Sequence, residues 1–289
     1  MFREKRLTLV LDTADVRALV VHGQRIRRWE RALLPEGTVH QGQIVQPEAF
    51  GEVVAELVDA VKGPRRRAVI GLNGQRSLVR ILDLPPVPAR LLDETVRREA
   101  RRELPLPLEG LYLSWQVIDD RTASGLRVFT VGVPKEIIDT CMVGLRAARV
   151  RPVAMDLKSL ALVRAVNLPN VLIVDLERGN GNLTLVRDDI PYIVRSIPLP
   201  TEEEGWTNLV VSEIQRTLEF YHTTLSASLP AWTISLCLTG ALAEDDRVRE
   251  RMGAIWPLVD PAPPIPIPDG FPLLPYLGNI GLALKRLPS

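Results

Sequence analysis

Apolar residues along this chain gather into short runs that occur twice in the same order. Residues 6–34, RLTLVLDTADVRALVVHGQRIRRWERALL, hold an apolar run ending at Asp12, a short turn, the run VRALVV, a turn at His22 and Gly23, and a third strand. The stretch that begins at Asn170 has the same plan: NVLIVD, then LTLVRD, a turn at Asp188 and Asp189, and IPYIVRSI. Asp175 stands in the second unit where Asp12 stands in the first. Two three-stranded meanders with an acid at the same place predict a duplicated pair of half-molecules.

Between them, EAFGEVVAELVDAVK places apolar residues at helical spacing and stops at Gly63-Pro64, and AVIGLNGQRSLVRILDLPP supplies two strands. Residues 77–153 read as an inserted unit. LVRIL is a strand, and ARLLDETVRREARREL is a helix with Leu92, Val96, Ala100 and Leu104 on one side, ended by Pro105 and Pro107. YLSWQVID and LRVFTVGV are paired strands, and PKEIIDTCMVGLRAA is a helix with proline in its first turn. In the second half, TNLVVSEIQRTLEFYHTTL is a helix, TISLCLTG is a strand ending at Gly240, and a polar helix runs through Met252. PLVDPAPPIPIPDGFPLLP is too rich in proline for regular structure, and NIGLALKRL reads as a short apolar helix docking back on the core. The predicted organisation is a first half of residues 1–76 and 154–168, an insertion of 77–153, and a second half of 169–289.

Bulk composition narrows the function more than the fold. A chain of 289 residues, 46% hydrophobic, buries a sizeable core. Lys plus Arg number 36 against 35 Asp plus Glu, so no global field draws the chain to nucleic acid or an anionic membrane. No apolar run approaches the ~20 residues of a membrane span, and MFREKRLTLVLD lacks the long apolar core of a signal peptide; a cytoplasmic protein is expected. Cys141 and Cys237 lie in apolar surroundings and read as free buried thiols. His22, His40 and His222 have no partner at metal spacing, and no nucleophile motif or phosphate loop is present, so neither a metal ligand nor a catalytic residue is expected. Arginines 65–67 read as a solvated approach to a strand rather than an anion site. Arginines 97, 98, 101 and 102 face away from the apolar stripe of their helix, which suits solubility or a partner.

Three segments carry a resemblance. ILDLPPVPARLLDETVRREARRELPLPLEGLYLSWQVID joins a strand, Pro-Pro, a helix with Arg-x-Glu-Ala, Pro-x-Pro-Leu-Glu and an aromatic strand. VGVPKEIIDTCMVGLRAARVRPVAMDLKSLALVRA joins Val-Pro, a helix, Arg-Pro and Asp-Leu-x-x-x-Ala-Leu, and SEIQRTLEFY begins a helix with Glu and Arg three apart. In this order they resemble the α/β actin-like (ribonuclease H-like) duplicated fold with an inserted α/β subdomain, of the PilM/FtsA type, and within it the PilM-like type IV pilus assembly proteins. The resemblance implies a cytoplasmic scaffold at the inner face of the membrane. It would bind the extended cytoplasmic tail of a PilN-like inner-membrane protein and link it to pilus motor components, meeting the membrane only through partners and no nucleic acid at all. The receiving cleft would lie between residues 66–84 and the inserted unit, with Arg80, Arg97 and Arg101 as candidate partner contacts.

The resemblance also implies ATP with Mg2+, gripped by two Asp-x-Gly loops whose glycines let backbone amides reach the phosphates. Here the loops read Asp12-Thr13-Ala14-Asp15 and Asp175-Leu176-Glu177-Arg178, and neither has the glycine. Asp15 replaces a neutral hydroxyl and Glu177 replaces the second glycine. A carboxylate about 4 Å from a phosphate charge costs roughly 1 kcal/mol in water and about 4 kcal/mol at an intermediate dielectric, which magnesium offsets in part. Gly179, Asn180, Gly181 and Asn182 suit either a fresh nest of amides, with Arg178 adding charge, or a hairpin turn, and the turn is preferred. Glu213 and Arg216 match the pair expected at ribose and base, or simply pair with each other. Gly240 keeps one glycine of the Gly-Gly pair expected after the last strand.

The vestigial nucleotide site therefore comprises Asp12, Thr13, Asp15, Asp175, Glu177, Gly179, Asn180, Glu213, Arg216 and Gly240, and no cofactor is expected beyond weak ATP binding, with no hydrolysis. Two alternatives stand beside the scaffold. An actin-like ATPase or sugar kinase calls for intact Asp-x-Gly loops. An actin-like cytoplasmic component of a type II secretion or cell-division machine keeps the scaffold class, and the division proteins end in an amphipathic membrane helix for which GLALKRLPS is short.

Overall fold

The structure, a computed structural model, describes residues 5–122, 125–199, 206–224 and 234–287. Its first apolar run forms β1 (Lys5–Leu11), antiparallel to β2 (Asp15–His22), which pairs with β3 (Arg25–Leu33). A small hairpin, β4 (Val39–His40) and β5 (Gln43–Ile44), leads to α1 (Pro47–Ala60), whose proline sits in the first turn where no backbone donor is missed. β6 (Ala68–Leu72) then lies parallel to β1.

The insertion supplies β7 (Leu78–Leu84), α2 (Ala89–Glu103), β8 (Leu111–Thr122), β9 (Gly125–Pro134) and α3 (Lys135–Ala147). β10 (Pro152–Leu157) returns to the first sheet, in the order β10-β6-β1-β2-β3, and runs into α4 (Lys158–Val166). The second half repeats the meander as β11 (Val171–Glu177), β12 (Asn180–Arg187) and β13 (Ile190–Ile197), followed by α5 (Trp206–Thr224) and β14 (Leu236–Thr239), in the sheet order β13-β12-β11-β14. α6 (Asp246–Gly253) and α7 (Leu273–Ala283) close the described chain.

Strand alternation divides the first core in two. Leu7, Leu9 and Leu11 meet Phe50 and Val54 of α1 and Ile137 and Leu145 of α3, while Val10 meets Ala161 of α4 and Leu282 of α7 on the other face. A further cluster joins Leu19 and Val21 of β2 to Val171 and Ile173 of β11 and to Leu277 and Ile280 of α7, so the two halves share a core. α7 begins at Leu273, earlier than the apolar run NIGLALKRL alone suggested, and it packs on β1, β2, β6 and α4 rather than on its own half alone. A Cβ at Gly281 would collide with the backbone of Ala161, so glycine is what lets α4 and α7 touch.

The insertion is less self-contained than its sequence suggested. β7, β9 and β8 form their own sheet, covered by Val96 and Ala100 of α2 and by Leu104 just after it. α3, however, crosses α1 closely at Gly51 and Gly144 and belongs to the first core, because neither position leaves room for a Cβ. The first sheet also resumes at Pro152, inside the range assigned to the insertion.

Candidate functional site

Asp12 follows the last residue of β1, and Asp175 and Glu177 lie at the end of β11, so the matched meanders bring three acids to one place. Lys158 opens α4 beside them. A cation at a helix N-terminus opposes the macrodipole, and the three carboxylates compensate: its Nζ lies 2.9 Å from Asp12, 2.8 Å from Asp175 and 2.7 Å from Glu177. Arg17 on β2 adds a fork to Glu177 at 2.5 and 2.6 Å, donates to Asp15 at 3.1 Å and to the Pro275 carbonyl at 3.0 Å. Arg31 on β3 reaches Asp15 at 2.6 Å from the surface. The side chains of Asp12, Asp15, Arg17, Lys158, Asp175 and Glu177 are at most 4% exposed. Thr239 donates to Asp175 at 3.0 Å, and the Ala241 amide donates to Glu177 at 3.3 Å.

Four carboxylates face three cations in this cluster, so one negative charge is in excess. It falls on Asp12, where burial outweighs the neighbouring cations; its Oδ1 has no hydrogen-bond partner, as is also true of Asp15 Oδ1. Burial pushes the Asp12 carboxyl up to about 7; Lys158 and Arg17 oppose the rise, while Glu177 and Asp175 add to it. Burial would raise Glu177 too, but the charges of Lys158 and Arg17 and their hydrogen bonds outweigh it and hold it at about 2. Burial alone would lower Lys158 and Arg17, and the surrounding carboxylates instead hold both well above their ordinary values.

The residues present do not fit a triphosphate with magnesium. The Lys158 ammonium already occupies the centre of the three carboxylates, and the Glu177 carboxylate already engages Arg17, Lys158 and the Ala241 amide. Asp15 and Glu177 are thus tied internally. Their expected repulsion of a phosphate gives way to occupation of the donors by the protein's own carboxylate.

Other candidates divide. The first loop holds no positive-φ residue, so Ala14 there needs no glycine. Thr13 leaves its hydroxyl buried without a partner. Arg178 and Gly179, at φ 77°, form a tight two-residue turn, and Asn180, Gly181 and Asn182 belong to β12, which corrects the nest alternative. Asn180 accepts from Gln75 at 2.9 Å, tying the second half to the loop after β6. Glu213 pairs with Arg216 at 2.7 Å and with Arg195 at 3.1 Å. Gly240, at φ 89°, lies against the backbone of Leu176, a close approach that only glycine allows. Arg17 and Lys158 escaped the sequence reading. Their signal was a lone cation inside DVRALVVH and another opening KSLALV, each in an apolar run.

A groove of about 460 Å³ lies on another side of α4. Its walls are β8, an edge strand of the inserted sheet, and β10, an edge strand of the first. Ile118, Val131, Met155, Leu160 and Val163 line it, and Ile190 and Pro191 of the second half close one end. Also in the lining, Asp156 is held by Arg164 at 2.6 Å and Lys285 at 2.9 Å. Residues 66–84 contribute Leu72 to the lining, and the inserted unit contributes residues of β8 and β9. Arg80 bonds the Val79 carbonyl on β7, Arg97 pairs with Asp93, and Arg101 with Glu109, and none of the three lines the groove: β7 is the opposite edge of the inserted sheet and α2 covers it.

Over residues 15–190 the chain matches the family model of the type IV pilus assembly protein PilM. No curated protein matches it. Among solved structures, a PilM-PilN type IV pilus biogenesis complex superposes with a TM-score of 0.77 at 20% identity, over 98% of each chain. The cytoplasmic domain of EpsL, an inner-membrane component of the type II secretion system of Vibrio cholerae, gives 0.57 at 12% identity over 98% of this chain and 97% of that one. The ethanolamine utilization protein EutJ of Carboxydothermus hydrogenoformans gives 0.55 at 12% identity over 98% and 90%. These likenesses identify the fold as actin-like.

Replacing Lys158 by Met leaves three buried carboxylates without their shared cation, and a loss of about 3–5 kcal/mol in urea unfolding is expected. Asp12, raised in the folded state, contributes stability that is full below its unfolded value of 3.8 and is lost as pH rises through about 7. Glu177, lowered, contributes stability that is full above 4.5 and is lost as pH falls through about 2. The urea midpoint of the wild type is therefore expected to fall between pH 5 and pH 8, and that slope is expected to flatten in Asp12→Asn; an unchanged slope contradicts the assignment of the excess charge.

Proposed function

The chain belongs to the type IV pilus assembly protein PilM family, and from that premise we propose that it is a scaffold whose groove receives the extended cytoplasmic tail of a PilN-like inner-membrane partner. The observation that carries this reading is the groove between two edge strands. An extended peptide added at β8 or β10 satisfies main-chain donors and acceptors that an edge leaves to solvent, and the apolar lining selects its side chains. The solved complex to which this chain is similar pairs a PilM with PilN, and linkage of the tail to motor components would follow from the same role. The chain thereby sits at the inner face of the membrane through its partner.

We further propose that the protein is not an ATPase and holds no nucleotide. Supporting this, Glu177 takes up the cationic and amide donors of the cluster, and Lys158 supplies the cation among its acids. The protein's work is then contact with other proteins rather than chemistry.

A labelled peptide from the cytoplasmic tail of a PilN-like protein is expected to bind with micromolar affinity by fluorescence anisotropy. Ile118→Asp and Leu160→Asp, each placing a charge in the apolar lining, are expected to weaken it by about tenfold or more; equal affinity in both variants removes the groove from the account. Titration with a fluorescent ATP analogue and magnesium to ~1 mM is expected to give no saturable signal, and a micromolar Kd overturns the nucleotide-free reading.

A further inference from the structure

The near-zero net charge conceals a segregated one. β1, β6 and β10 are parallel, so their first residues share one end of the first half, together with the turn between β2 and β3. The register leads Arg151, Arg67 and Arg6 into that end side by side, each just before a paired row of the sheet. One step further out come Arg66, Lys5, His22 and Arg25. The chain leaves α1 at the same end through Lys62, and α3 through Arg149, beside Arg146 of its last turn. Backbone contacts tie these pieces together, since the Arg151 amide donates to the Arg65 carbonyl at 2.7 Å.

Helix capping accounts for part of this. Arg65 bonds the Ala148 carbonyl at the end of α3, and Arg6 bonds the carbonyls of Ala283 at 2.6 Å and Lys285 at 2.9 Å at the end of α7. Asp59 on the last turn of α1 is held by Arg65. Capping leaves Arg25, Lys62, Arg66, Arg146, Arg149 and Arg151 unexplained: all six are exposed, and none joins an ion pair among the described residues. Two of them also sit against their backbone. Lys62 at φ 50° and Arg149 at φ 57° occupy left-handed positions just past α1 and α3, where glycine carries no strain. Cations are kept there at a conformational cost.

We propose that this pole is a docking surface for an anionic bilayer. The charges are spread across the ends of strands and helices at one end of the sheet, an arrangement that meets a plane of headgroups, whereas a groove would suit a nucleic-acid strand. Val153 on the edge strand β10, 48% exposed, adds an apolar contact beside them. The orientation agrees with the groove as well: Met155, in its lining, follows Arg151 by four residues of extended chain, about 13 Å. A tail entering that groove from a membrane protein would approach beside the basic pole. This orientation rests on the tail reading; the lipid contact itself does not.

The full chain is to be mixed with vesicles of phosphatidylglycerol and phosphatidylcholine, or of phosphatidylcholine alone, and separated by flotation. Binding is expected on the anionic vesicles only, with release at ~0.5 M salt. The triple variant Arg66→Glu, Arg149→Glu, Arg151→Glu is expected to lose on the order of 100-fold in partitioning, while Arg98→Glu with Arg102→Glu on α2 leaves it unchanged. A matching thermal melt and an unchanged tail-peptide affinity in the triple variant separate a lost lipid contact from a damaged fold or groove. If the triple variant does not fold, single Arg66→Glu carries the test, with a loss of about fivefold expected. Failure of the wild type to float with anionic vesicles at low salt, or full partitioning by the charge-reversed protein, overturns the proposal. So does equal or tighter binding to duplex DNA at the same salt.

Discussion

One ammonium group among three buried carboxylates is the constraint on which the other features depend. Lys158 comes from the start of α4, Asp12 from the end of β1, and Asp175 and Glu177 from β11, so the contact exists only when both meanders and α4 are in register. Arg17 closes the arrangement from β2. Buried ion pairs of this kind add little net stability over apolar packing, because desolvation consumes most of the attraction, but breaking one partner is costly. The cluster therefore selects one relation between the halves rather than simply strengthening it. A shared core through Leu19, Val21, Val171 and Ile173 reinforces the same relation.

That relation shapes the groove. α4 carries Lys158 at its first position and Leu160 and Val163 on the groove wall, so the helix that is pinned by charge at one end presents the lining in its next turns. The groove's closing end, Ile190 and Pro191, belongs to the second half and is placed by the same pin. Here Lys158, Arg17 and the buried acids pair with one another between the halves, and α4 joins that cluster to the groove wall.

The fold was readable because its signals are local and repeated. The alternation of VRALVV and LTLVRD, the helix stops at Gly63-Pro64 and Pro105, and the acid at matching ends of two runs each constrain a few neighbouring residues, and the duplication doubles their weight. Features set by distant packing were not readable. α3 joins the first core through the crossing at Gly51 and Gly144, and α7 reaches across to β1 through Gly281, contacts between segments that no periodicity links. The acids of the site were legible as departures from a glycine pattern, but their meaning was not. Asp15 and Glu177 looked like charges turned on a ligand, because the cations that neutralise them, Arg17 and Lys158, are remote in sequence from Glu177 or hidden in apolar runs.

The same burial distorts what a charge count can say about partners. The chain carries a formal charge of +1, which argues against attraction to any anionic surface. Yet the cluster removes four acids and only two of its cations from the surface, since Asp12, Asp15, Asp175 and Glu177 are buried with Arg17 and Lys158. The exposed remainder is more positive than the whole. Within that remainder the parallel strands β1, β6 and β10 begin with cations at one end and finish near the acids at the other. Over a Debye length of about 8 Å at physiological salt, an approaching surface responds to the pole it faces and not to the sum. The buried acids, with Arg17 and Lys158 among them, thus lie where the parallel strands end, and the exposed cations lie where they begin.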